Sequence, residues 1–81
     1  MYWKMEKLYQ ELAKILEVDE VHGSEELRGF DAWDSLAALS VVVFVRGNFN
    51  VTITSEDLRR AVTVADLEQL VQTKQQSGKP S

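Results

Sequence analysis

The sequence predicts a small all-α domain of three or four helices, and three observations carry that expectation. Apolar residues recur at helical steps near the start of the chain. Two Thr-x-x-Asp runs mark helix beginnings in its second half, and 81 residues allow a single core.

The first helix is expected over Trp3 to Glu17. Met5, Leu8, Leu12, Ile15 and Leu16 fall mostly at steps of three and four, with Lys4, Lys7, Glu11 and Lys14 between them. Val18 to Trp33 contains Gly23 and Gly29 and no sustained period, which makes a long loop anchored in the core by Leu27 and Phe30. Asp34 to Phe49 admits two readings. Val41 to Val45 is rich in β-branched residues and Asn50 to Thr54 alternates polar with apolar, so propensity permits a hairpin turning at Gly47-Asn48. Against that, Leu36, Leu39, Val43, Phe44 and Gly47 repeat at helical spacing. Asp34 offers a capping oxygen to the N–H of Leu36 or Ala37, and Gly47 is placed to help end a helix. The residues alone leave both open, with the helix slightly ahead.

Thr54-Ser55-Glu56-Asp57 has the form of a capping box that opens a short helix through Arg60. Thr63-Val64-Ala65-Asp66 repeats the device for a last helix with Val64, Leu67, Leu70 and Val71 on one face. The folded domain is expected over residues 1–72. Residues 73–81, polar and holding the only proline, Pro80, are expected to form a flexible tail.

Composition removes several function classes. The absence of cysteine excludes thiolate catalysis, disulfides and thiolate-bound zinc, and a single histidine, His22, excludes a His–His pair for metal or proton relay. A net charge of −4 makes nucleic acid and anionic membranes unfavourable partners. No apolar run reaches membrane-spanning length and the first residues lack a signal-peptide core, so a cytoplasmic protein is expected. The charge is uneven. Glu17, Asp19, Glu20, Glu25, Glu26, Asp31 and Asp34 face one base, Arg28, whereas Ser35 to Thr54 holds no acid and only Arg46.

Trp33-Asp34-Ser35-Leu36 sets a serine in the first turn of the second helix, after that acidic loop. Free backbone N–H groups and the helix dipole favour an attached anion there, so a phosphodiester on the Ser35 hydroxyl is well tolerated. No histidine base is patterned to activate Ser35, which makes it a modification substrate for another enzyme instead of a catalyst. Trp33 reads as a core plug and His22 as a solvent-exposed loop residue.

Asp34-Ser35-Leu36, Phe49-Asn50-Val51-Thr52-Ile53, Glu56-Asp57-Leu58, Thr63-Val64-Ala65-Asp66-Leu67 and Leu70-Val71 follow one another at spacings that resemble the acyl carrier protein family, over roughly Leu8 to Val71. The resemblance implies a four-helix bundle of the acyl-carrier type with a long first loop and a short third helix, in which Val41 to Val45 is helical. It implies 4′-phosphopantetheine on Ser35, taken from coenzyme A by a phosphopantetheinyl transferase, and a carrier that is not an enzyme. Acyl-loading and acyl-processing enzymes are the further partners implied. Asp34 then caps the helix and helps the transferase recognise the site, and Leu36 locks the turn into the core.

One departure from the family stands out. Fatty-acid carriers bear acids along the second helix, where basic enzyme surfaces dock, whereas the matching positions Ala37, Ser40, Arg46 and Gly47 are not acidic. The outward face is expected to carry Ala37, Ala38, Val41, Val42 and Val45, an apolar surface for partner docking or self-association, with a monomer as the default. The cargo class stays open among fatty, polyketide, and aminoacyl or peptidyl groups. An unmodified helical interaction module is the alternative of a different kind.

Overall fold

Helix α1, Trp3–Ile15, begins the chain as described by the computed structural model, which covers residues 3–77. Its inward stripe runs through Leu8, Leu12 and Ala13 to Leu16 just beyond its end, all buried. Met5, expected in the same stripe, lies outside the described side chains. The helix stops two residues earlier than the periodicity suggests. Glu17 takes a left-handed φ of 61°, its N–H donates to Lys14 O, and the Val18 N–H reaches back to Ala13 O at 2.9 Å. These paired bonds close the helix as a Schellman motif.

The loop from Leu16 to Asp34 is ordered by what it packs against. Val21 and Leu27 are buried, Phe30 and Trp33 pack on the core, and Leu27–Gly29 makes one turn of 3₁₀ helix. Three backbone bonds tie the loop to the start of the last helix: Leu27 N to Val62 O, Val64 N to Glu25 O and Ala65 N to Gly23 O, each 2.9 Å. Among the described residues the sole β-pairing is the isolated antiparallel bridge Glu26–Thr63 in this seam. The Arg28 guanidinium donates to the carbonyls of Leu58, Arg59 and Ala61 at the end of the third helical segment, and the Leu58 carbonyl also accepts from Ala61 N.

Helix α2, Ser35–Phe49, settles the hairpin question in favour of the helix. Asp34 Oδ1 accepts from Ala37 N at 2.9 Å, which caps the start. The helix runs through Gly47, expected near its end, and closes at Asn50, whose left-handed φ of 57° suits asparagine. Ala37, Val41, Val45 and Phe49 form its buried face.

Helix α3, Ser55–Arg60, begins with the complete capping box: Asp57 N donates to Thr54 Oγ1 and Thr54 N to Asp57 Oδ2, both 3.1 Å. Helix α4, Val64–Ser77, opens the same way, with Asp66 N bonded to Thr63 Oγ1 and Thr63 N to Asp66 Oδ2. It continues past Thr73, where the flexible tail was expected to start; residues 78–81 of that tail lie outside the described residues. Leu58, Ala61, Val64, Leu67 and Val71 complete the core with Val51 and Ile53 of the α2–α3 connection.

Candidate functional site

Ser35 is the first residue of α2 and is exposed. The Asp34 cap fixes it there. Because Asp34 takes the N–H of Ala37 and its carbonyl that of Ala38, the N–H groups of Ser35 and Leu36 are left without intrahelical acceptors at the positive end of the helix. Among the described residues no side chain bonds to the Ser35 hydroxyl. His22, the one histidine, is exposed and stands 3.5 Å from Glu20. Among the described residues no base is placed on Ser35 to activate it as a nucleophile.

An open groove of about 430 Å³ lies beside Ser35, lined by Ser35, Ala38, Leu39, Val42, Ile53, Ser55 and Leu58. Helix α2 supplies one wall; the α2–α3 connection and α3 supply the other. Between its two serines the lining is apolar. A second open groove, polar in character, is bounded by Leu16, Glu17, Val18 and the loop from Gly29 to Asp34.

The structure revises the outward face of α2. Ala37 (5% exposed), Val41 (1%) and Val45 (0%), expected to face partners, are buried, and Ala38 and Val42 are half-buried in the groove wall. Leu36, expected to lock the turn into the core, is 72% exposed, and Leu39 and Val43 stand out beside it. The physical reason lies in composition: α2 is apolar nearly all round, so its periodicity fixes the helix without fixing its rotation. The rotation comes from the ends. Trp33 enters one side, and Phe49, Val51 and Ile53 are drawn into the core at the other. Ser55 and Ile53 as groove residues escaped the sequence reading, although Ala38, Leu39 and Val42, three, four and seven residues beyond Ser35, necessarily share its side of a helix.

A 4′-phosphopantetheine group fits this place. Ser35 is exposed, the N–H groups of Ser35 and Leu36 at the start of the helix are free to receive a phosphate, and the groove gives an attached chain an apolar surface to lie on.

A family model described as the phosphopantetheine attachment site matches residues 6–71. No curated protein matches significantly. Among solved structures, the solution NMR structure of a holo acyl carrier protein from Geobacter metallireducens is similar in fold. It shows a TM-score of 0.76 and 21% identity, over 96% of this chain and 91% of that one. By the family match the chain belongs to the phosphopantetheine attachment family, the acyl-carrier family of small helical proteins that hold a covalent 4′-phosphopantetheine and act as carriers instead of enzymes.

Proposed function

We propose that Ser35 bears the arm and that the protein delivers acyl intermediates to the enzymes of a biosynthetic pathway, fatty acid or polyketide in type, in the cytoplasm. The observation that carries this reading is the exposed Ser35 at the capped start of α2, next to an apolar groove. When bound, the arm supplies the thiol on which cargo is held as a thioester, which is why a chain without cysteine suffices.

Each neighbouring residue has a defined task. Asp34 holds the first turn by accepting from Ala37 N, which keeps Ser35 facing out. The N–H groups of Ser35 and Leu36 stabilise the phosphate by hydrogen bonds and the helix dipole. The Ser35 oxygen forms the new O–P bond as the pyrophosphate of coenzyme A is cleaved and adenosine 3′,5′-bisphosphate leaves, and the hydroxyl proton goes to a base on the transferase. Ala38, Val42, Ile53 and Leu58 offer the attached chain shelter from water.

Intact-mass measurement after incubation with coenzyme A, magnesium and a broad-range phosphopantetheinyl transferase tests this. Wild type gains the mass of one arm, and Ser35→Ala gains none while keeping its helical circular dichroism. Failure of wild type to gain mass, where a control carrier does, favours an unmodified interaction module, the reading to which the exposed apolar residues of α2 would then belong.

A further inference from the structure

Helix α3 is the least secured wall of the groove beside Ser35. It has six residues, too few to hold a helix by themselves, and α1 and α4 each pack against α2 more closely than α3 packs against any helix. Ser55 and Leu58 of α3 nevertheless form one side of the groove. Ties at the two ends of α3 hold that side in place. Near its start, Asp57 meets Lys74 of α4 at 3.0 Å. At its end the tie is Arg28.

Arg28 is the only base among the acids from Glu17 to Asp34, and it forms no ion pair among the described residues. Its guanidinium reaches α3 instead, 3.0 Å from Arg59 O, 3.2 Å from Ala61 O and 3.4 Å from Leu58 O. A positive charge is favoured at the carbonyl end of a helix, and the planar fork of arginine lets one side chain serve several carbonyls. Leu58 joins the two sites, since its side chain lines the groove and its carbonyl accepts from Arg28. The adjacent Leu27 is buried and its N–H donates to Val62 O at 2.9 Å, so Arg28 pulls from a fixed point of the loop.

We propose that Arg28 is a positioning residue for the attached arm: it latches α3 and so keeps the groove shaped to receive an apolar group carried on Ser35. This rests on the carrier reading and adds the residue that holds the groove's second wall. A wall ordered beforehand spares the cost of ordering it when the group arrives.

The test uses the full chain, loaded with a hexanoyl-bearing arm from hexanoyl-coenzyme A by a broad-range phosphopantetheinyl transferase and followed by NMR. In wild type the hexanoyl group should shift the methyl signals of Ala38, Val42, Ile53 and Leu58 relative to the unacylated arm. Arg28→Gln should shrink those shifts by about half or more and speed hydrogen exchange at the Leu58 and Ala61 amides about ten-fold. Arg28→Lys keeps the charge without the fork and should recover part of both; should Arg28→Gln fail to fold, it carries the comparison alone. Tyr9→Phe, which removes the α1–α4 hydrogen bond, should leave both as in wild type. Circular dichroism checks that each variant keeps its helices. Unchanged α3 exchange, or faster exchange with the hexanoyl shifts intact, would overturn the proposal. Shifts that shrink equally in Tyr9→Phe would overturn it too, by making Arg28 a general stabiliser. So would a wild type that accepts the arm but shows no groove shifts. A wild type that accepts no arm sinks the carrier reading itself, while exchange on the unmodified chain still reads the latch.

Discussion

Gly47 shows how one residue can sit against its own preference. It lies inside α2, and a Cβ built there meets nothing within 4 Å. Glycine in an exposed helix interior costs about 1 kcal/mol relative to alanine, through backbone entropy. Gly47→Ala should therefore stabilise the protein by about 0.5–1 kcal/mol in a urea titration, with an unchanged m-value; a loss of stability would mean that the helix is bent or frayed there. The same residue misleads a reader of the sequence, because glycine near the end of an apolar run looks like a terminator. The terminator is Asn50, three residues on, which adopts the left-handed conformation at the cap. At α1 the role falls to Glu17, a residue type with no preference for that conformation, so no local signal marked it.

Among the elements, those closed by polar side chains were legible and those defined by apolar rotation were not. The Thr54–Asp57 and Thr63–Asp66 boxes place α3 and α4 within a residue, since each pair satisfies donors that no other nearby group can reach. The start of α2 follows equally from Asp34, and with it the position of Ser35. Which way α2 faces did not follow, because leucine, valine and alanine on every side give no moment to read. The boxes also carry a pH dependence. The Thr54 backbone N–H, and after it Lys74 at 3.0 Å, hold the Asp57 carboxyl below its usual range, and the N–H groups of Thr63 and Val62 do the same for Asp66. Folded values below the unfolded 3.8 mean that the contribution is complete above that pH and is lost as pH falls through the folded values. Thermal unfolding followed from neutral pH down to about pH 2 should show Tm falling below about pH 4, and the fall should be shallower in Asp57→Asn, which has no proton to take up there. An equally steep fall in that variant would assign the acid limb to other carboxylates.

Across the whole molecule, the first loop and α4 are joined to α1 at one crowded point. The Tyr9 hydroxyl of α1 donates to Glu68 Oε1 of α4 at 2.9 Å, and Gly23 of the loop lies beneath it, bonded through its carbonyl to Ala65 N. A Cβ on Gly23 would stand 3.1 Å from the Tyr9 oxygen and 3.4 Å from Ala65 Cβ, so the position favours glycine for its closeness to the Tyr9 hydroxyl and not for its φ. Gly23→Ala must push the Tyr9 hydroxyl away from Glu68 or lift the loop off α4. Either should cost about 1–2 kcal/mol in a denaturant titration. In a Tyr9→Phe background the nearest obstructing atom is gone, and the cost of Gly23→Ala should fall by about half or more, a coupling that a double-mutant cycle reads directly. The same hydroxyl reports from the alkaline side. Burial, then the bond and the charge of Glu68, push the Tyr9 pKa from 10.0 up to about 12. Its stabilising contribution is therefore complete below pH 10 and is lost as pH rises toward 12, a decline that Tyr9→Phe should flatten. If the two substitutions prove additive and the alkaline decline persists without the hydroxyl, the three elements are held together by the apolar core and the loop's backbone bonds alone, and the crowded point is incidental.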